Sequence, residues 1–271
     1  MLIHPTDKWL REWLDQRQTS NQVSSSSKNT IGNKLSPYFS SFSASSIQSH
    51  LLQHGMFDPD TEEKQIEEWL SQPFHRKAGK ALKKCQEMWN GPDTNVFILP
   101  SNENIPEFKR WYNSNAGLSF PDKLLLFLQK RATNTEILAL VIHEYSHICR
   151  LHHFSKPENE YTVLDAIMLE GTAEWLVRKH VGEEAGNKRI NWLSDTELQQ
   201  LWERWVTPYI SITRDHPRHD TIMYGAPGTP KNIGYLIGFN IVARFMKQKK
   251  LSGQALLKMK KEDILSAAQL K

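Results

Sequence analysis

Residues 143–147 read His143-Glu144-Tyr145-Ser146-His147. On an α-helix, positions i and i+4 lie one above the other on one face. His143 and His147 can therefore direct two imidazole nitrogens at one point, as a tetrahedral zinc ion requires. Glu144 stands beside them, placed to take a proton from an activated water. The five-residue pattern is short, so its helical context decides. Thr133 and Glu136 have the spacing of a capping box, in which hydroxyl and carboxylate satisfy free N–H groups at a helix start. Ile137, Leu138, Leu140, Val141, Ile148 and Leu151 follow, which predicts a largely buried helix. Two histidines and a glutamate in such a segment are costly unless something partners them.

A catalytic zinc site takes three protein ligands and leaves one position open. Two residues compete for the third place. Glu170 lies in Leu169-Glu170-Gly171-Thr172-Ala173-Glu174-Trp175. Thr162 and Asp165 repeat the capping-box spacing, and Val163, Ile167, Met168 and Leu169 begin an apolar helix expected to run to about Lys179 and stop near Gly182. Glu174, one turn beyond Glu170, shares its face and can accept the free ring N–H of a ligand histidine. The other candidate is His153, because His143-Glu144-x-x-His147-x-x-Arg150-x-x-His153 has the metzincin spacing without its glycine. Arg150 resists the positive φ that would swing the last histidine to the metal. A possible Met-turn at Thr221-Ile222-Met223-Tyr224-Gly225 keeps that alternative open. His152 and His153 also suit a helix C-terminus, where imidazolium complements the dipole.

Taken with HEYSHICR and LDAIMLEGTAEW, the stretches Gln53-His54-Gly55-Met56, Trp89-Asn90-Gly91-Pro92, Arg214-Asp215-His216-Pro217 and Gly234-Tyr235-Leu236-Ile237-Gly238 resemble a bacterial, YjaZ-like family of predicted zinc-dependent proteases. The resemblance runs from about residue 35 onward, with Thr6-Asp7-Lys8-Trp9-Leu10 as a further match. It implies a gluzincin-like site with His143, His147 and Glu170 as ligands and Glu144 as base. It also implies an α+β class: a mostly helical, zincin-like metallopeptidase fold with a small β-sheet preceding the HExxH helix. A serine-rich insertion near the N-terminus departs from the family's compact pattern.

At 271 residues and 31.4 kDa the chain can bury a sizeable core. Residues 1–75 are expected to form an N-terminal helical segment with a Ser-rich linker at 17–34, and residues 76–271 a zincin-like catalytic domain. Helices are predicted at 7–16, 45–54, 61–71, 76–89, near 195–206 and at 233–248. Strands are predicted at 96–99, 116–120 and 123–128, the last two joined by a Pro121-Asp122 turn. Residues 207–232 read as a loop rich in Pro, Gly and His. An edge of the sheet would suit an extended peptide added as a strand.

There is no apolar run of 18 residues, which argues against a membrane span, and no Sec-type leader is recognised. Two cysteines, Cys85 and Cys149, are too few for a disulfide framework, and a reducing, cytoplasmic setting is expected. Net charge is +4, without a concentrated basic stripe, so nucleic acid is not an expected partner.

The expected activity is zinc-dependent hydrolysis of peptides or unfolded protein segments. Alternatives are hydrolysis of a non-peptide amide or ester, and a non-catalytic protein in which zinc only staples helices. The last would require a fourth ligand from Cys149, His152, His153 or Glu174. For the developing oxyanion Tyr235 is the first choice of donor, with Tyr224, His216 and His219 as alternatives in an active-site loop.

Overall fold

The computed structural model describes residues 1–19, 30–106, 114–268 and 270. The chain is α+β and mostly helical, with one small mixed sheet. It divides into two compact units, residues 1–81 with 93–140, and residues 82–92 with 141–271.

The first unit is built on the sheet. Its strands are β1 (Leu2–Ile3), β2 (Asn95–Pro100), β3 (Ala116–Ser119) and β4 (Lys123–Leu128), in the order β1-β2-β4-β3. β2 lies parallel to both β1 and β4, whereas β3 runs antiparallel to β4. Every residue of β4 is buried, as a near-continuous apolar run in a central strand demands. The β3–β4 pair is the predicted hairpin, with β3 at an edge. β1 was not predicted, because two residues carry no periodicity. Its place is set by Leu2 pairing with Asn95 and Ile3 with Val96, more than ninety positions along the chain.

Helices α1 (Thr6–Thr19), α2 (Thr30–Leu35), α3 (Ala44–Gln53) and α4 (Glu63–Leu70) belong to this unit, as does the first half of α5 (Phe74–Trp89). Trp69 of α4 donates its indole N–H to the carbonyl of Leu128 at 2.8 Å, satisfying the end of β4. The polar stretch 17–34 is partly helical: residues 17–19 complete α1 and 30–34 begin α2. The Ser-rich part at 20–29 lies outside the described residues.

Helix α6 (Asn134–His153) carries the HEYSH motif. Its capping box forms as predicted: the Thr133 amide donates to Glu136 Oε2 at 2.8 Å and the Glu136 amide to Thr133 Oγ1 at 3.2 Å. From Val141 onward α6 belongs to the second unit, with α7 (Val163–His180), α8 (Asp195–Leu201), α9 (His219–Tyr224), α10 (Ile233–Lys249), α11 (Gly253–Leu257) and α12 (Lys261–Ala267). The predicted helix at 195–206 gives way after Leu201 to a π-helical turn, Trp202–Val206. The region expected as loop at 207–232 contains α9, and two short helices follow α10 that sequence periodicity did not reveal.

Helix α10 is buried on nearly all sides and is the main partner of α7. The two meet backbone to backbone at Gly171 and Gly238. A Cβ on Gly171 would stand 2.7 Å from the Gly238 Cα, a distance side chains essentially never adopt. The fully buried Asn240 of α10 is satisfied completely. Its amide donates to the carbonyls of Asn191 and Leu236 at 2.9 Å, and its oxygen accepts from the Leu193 amide at 2.8 Å.

Candidate metal centre

Within the second unit, α6 is seated through the middle of its own motif. Tyr145, fully buried, stacks on Trp89 and donates its hydroxyl to the Pro92 carbonyl at 2.7 Å. A Cβ at Gly91 would come 2.5 Å from that hydroxyl and 2.8 Å from Cys149 Sγ, so only glycine leaves room for them. This contact fixes the rotation of α6 and with it the direction of His143 and His147. One turn on, buried Arg150 donates to the carbonyls of Leu256 and Met259 at 3.1 and 3.2 Å. Leu256 lies in the last turn of α11, where its carbonyl also accepts from the Met259 amide at 3.0 Å, and Met259 lies two residues beyond the helix. Burial pulls the guanidinium down to about 10, with Asp165 acting in the opposite sense.

Helix α7 is fixed at its start. Its capping box has the Thr162 amide on Asp165 Oδ2 at 2.8 Å, and two further amides, of Val163 and Leu164, donate to the carbonyls of Ile212 and Ile210. Asp165 is paired with Lys156 at 2.6 Å and Lys261 at 2.8 Å. Burial works against its charge, but the two lysines and Thr162 outweigh it and hold the carboxyl down at about 2.

These anchors place His143, His147 and Glu170 together, with one potential ligand atom from each lying within 4.8 Å of the others. Glu170 Oε2 is 3.1 Å from His143 Nε2 and 3.5 Å from His147 Nε2. The oxygen is buried, yet it has no hydrogen-bond partner of good geometry among the described residues. Separations of this size are close to the edge of a tetrahedron with arms of about 2.0–2.2 Å, which is about 3.3–3.6 Å. Two imidazoles and a carboxylate so disposed fit a zinc ion.

Electrostatics point the same way. Burial opposes charge on His143, but Glu170, Glu144 and Glu174 override it and push the imidazole up to about 9. Burial also opposes charge on Glu170, and His147 and His143 overcome it, holding the carboxyl well below the usual carboxylate range. A buried group of two imidazoles and a carboxylate that holds its charge against burial is suited to a cation.

His153 does not join this group. Helix α6 continues without a break through Arg150 to His153, which is exposed and packs edge-on against Phe154. Arg150, at the glycine position of the metzincin spacing, bonds carbonyls of the C-terminal segment, and the group of ligand atoms that come together does not include His153. Cys149, His152 and Glu174 are not part of the group either, which has three members among the described residues. Cys85 and Cys149 are free buried thiols, both pushed up to about 12 by burial.

Glu174 sits one turn past Glu170, buried, and its charge reaches His143. Its Oε1 is taken by Arg178 Nε at 2.9 Å and the Asn187 amide at 2.8 Å, whereas His147 Nδ1 has no hydrogen-bond partner among the described residues. The Glu174–Arg178 clamp was missed in the sequence reading, although Glu followed by Arg at i+4 is a recognisable signal. Arg178 also holds Glu183 and the carbonyls of Asn187 and Ile190, and lies over the Phe239 ring.

Of the four residues considered for the oxyanion, two come together. Tyr224 and Tyr235 have ring centroids 6.0 Å apart and share a hydrogen bond between hydroxyls. Tyr224 keeps 53% of its surface exposed, but its hydroxyl end is shielded. That shielding, followed by the charges of Glu170 and Asp220, pushes the phenol up to about 12, partly offset by Arg214 and Tyr235. His219 is buried and bonds its own neighbour Asp220 at 3.1 Å, and exposed His216 accepts from the Arg218 amide at 3.1 Å.

Fold and site together define a mostly helical α+β protein with a candidate His/His/Glu metal centre. A family model described as "Predicted Zn-dependent protease (DUF2268)" matches residues 74–266. The chain is also similar to an uncharacterized protein, YjaZ of Bacillus subtilis (strain 168), at 34% identity over 222 residues, 82% of this chain and 85% of that protein. It belongs to this YjaZ-like family of predicted zinc-dependent proteases. Among the described residues, no helix is long and apolar enough to cross a membrane.

Proposed function

We propose that this chain is a zinc-dependent hydrolase acting on peptides or unfolded protein segments. The observation that carries the reading is the convergence of His143, His147 and Glu170 with a buried carboxylate oxygen that no hydrogen bond satisfies. These three residues would hold the ion, and zinc when bound supplies Lewis acidity toward water and a carbonyl. Glu144, buried and next to His143 in the chain, takes the proton of the attacking water and delivers it to the leaving amine. Glu174, itself held by Arg178, braces the charge on His143. The Tyr235 hydroxyl, with Tyr224 against it, is the donor for the developing oxyanion, a role worth ~2.7–4 kcal/mol in other hydrolases. A general base beside the histidines favours turnover over a purely structural zinc staple, which has no use for one. The two free buried thiols fit a reducing, cytoplasmic setting.

The test has two stages. Zinc per chain is measured by elemental analysis in wild type, Glu170→Ala and His153→Ala, purified identically. About one zinc in wild type and His153→Ala, with loss in Glu170→Ala, supports the ligand set; retention in Glu170→Ala overturns it. A quenched library of mixed peptides is then assayed with wild type and Glu144→Gln. Cleavage abolished by Glu144→Gln supports the peptidase reading, and full zinc without any Glu144-dependent cleavage favours the staple.

A further inference from the structure

Three helix ends meet beside the seat of the HEYSH motif: Trp89 closes α5, His180 closes α7 and Gly253 opens α11. Trp89 is 2% exposed, and its ring stacks on Tyr145 with centroids 6.1 Å apart and planes at 10°. The His180 ring stands edge-on to the same indole, with centroids 6.2 Å apart at 62°. Trp89 Nε1 and His180 Nε2 are both buried, and neither has a hydrogen-bond partner among the described residues. A Cβ on Gly253 would stand 3.4 Å from each of these two nitrogens. They therefore face one point, no further apart than twice that distance, and a side chain at residue 253 would intrude on it. Buried polar atoms are almost always hydrogen-bonded, so two orphans facing one point mark a binding position.

An indole N–H can only donate. Burial, then Lys179 and Lys84, pull the His180 imidazole below its usual range, so at pH 7.5 it is neutral and one ring nitrogen carries the proton. In its Nε2–H tautomer the two side chains present two donors and no acceptor. Both charges that reach His180 are positive, Lys179 from its own helix and Lys84 from α5. Two donors in a positive field favour an anion over a neutral acceptor. Leu176 Cδ2 closes in from the side, 2.9 Å from the Cβ position on Gly253, which suits a monatomic ion better than a tetrahedral oxyanion. We propose that Trp89, His180 and Gly253 form a binding site for a halide ion, chloride first, which braces the Trp89 ring against Tyr145 and so steadies the seat of α6. The site shares no residue with the metal group and does not rest on the hydrolase reading.

The test follows the indole proton directly. The chain has nine tryptophans, and loss of one indole signal in Trp89→Phe identifies that of Trp89 in ¹H–¹⁵N spectra. Wild type at pH 7.5 is titrated with sodium chloride, exchanged against sodium gluconate at constant ionic strength. The Trp89 signal should move saturably, with its midpoint on the order of 1 mM chloride, as two hydrogen bonds to a charged group allow. Bromide should act in the same way. His180→Phe removes one donor and should weaken binding at least about tenfold. Gly253→Ala fills the shared point and should abolish the saturable shift. Its only short contact is with the far end of the Leu176 side chain, which can turn aside; if the variant nevertheless fails to fold, His180→Phe decides. In wild type chloride should also raise the urea midpoint, as a ligand of the native chain must, and in Gly253→Ala it should not. A Trp89 signal indifferent to chloride, a response unchanged in His180→Phe or in folded Gly253→Ala, or a wild-type urea midpoint that chloride leaves in place each overturns the proposal.

Discussion

Replacing Gly171 by alanine should detach the third ligand from the candidate centre while leaving its chemistry intact. In an isolated helix the change is favourable, since alanine exceeds glycine in helix propensity by about 1 kcal/mol. Here the new Cβ would stand 2.7 Å from the Gly238 Cα and closer still to its carbonyl, against 3.4 Å or more for ordinary contact. Both partners are helix backbone, so no rotamer change relieves the overlap. α7 and α10 must separate by about 1 Å, or the site must strain. Overpacking of this kind costs about 1–3 kcal/mol, with backbone against backbone at the upper end. Overlap therefore outweighs propensity, and a net loss of about 2 kcal/mol is expected in urea unfolding. Glu170 is the adjacent residue, and metal ligands tolerate displacements of only about 0.2 Å. Zinc affinity, measured by competition with a chromophoric chelator, should therefore fall at least about tenfold, as it does when ligand geometry is disturbed from outside the ligand set. Val177→Ala, in the same helix and buried, is the control: it should destabilise by a comparable cavity cost of about 1–2 kcal/mol and leave zinc affinity unchanged. Wild-type stability and wild-type zinc affinity in Gly171→Ala would refute the argument, as would equal zinc loss in both variants.

Three further outcomes follow from the same geometry. Gly91→Ala should destabilise by about 1–3 kcal/mol through the Tyr145 hydroxyl and Cys149, and Tyr145→Phe in that background should recover part of the loss; additive losses in a double-mutant cycle would contradict this. Arg150→Met, which retains the apolar stem, should cost about 1–2 kcal/mol by removing the Arg150 donor from the Leu256 and Met259 carbonyls, and hydrogen exchange should show residues 253–267 opening before the rest of the second unit. Asp165 is held at about 2 against an ordinary 3.8, so its contribution is present above pH 3.8 and fades as pH falls toward 2. Discounted for partial exposure, it amounts to roughly 1 kcal/mol. Asp165→Asn should lower stability at pH 7 by about that much and flatten the acid limb between pH 4 and 2; an unchanged limb would place the acid sensitivity elsewhere.

The helices that carry the candidate centre were legible because their signals act within one turn. Both capping boxes, Thr133 with Glu136 and Thr162 with Asp165, form as their spacing predicts. His143 and His147 share a face because 3.6 residues make a turn, and the hairpin of β3 and β4 follows from two short strand signals separated by Pro121-Asp122. The choice between Glu170 and His153 was left open by the local pattern alone. It turns on Arg150, whose partners lie 106 and 109 positions away, and on how α7 is set by carbonyls from residues 210–212. The strand at Leu2–Ile3, the backbone contact of Gly171 with Gly238 and the meeting of Tyr224 with Tyr235 likewise depend on which segments pack together. Periodicity and capping are properties of neighbouring residues, so the sequence determined by itself the long helices of the centre and which of them carries the two histidines. Separate elements come together only through burial of apolar surface and satisfaction of buried polar groups across the whole chain. The approach of Glu170 to the two histidines, and the meeting of Tyr224 with Tyr235, were therefore decided by tertiary structure.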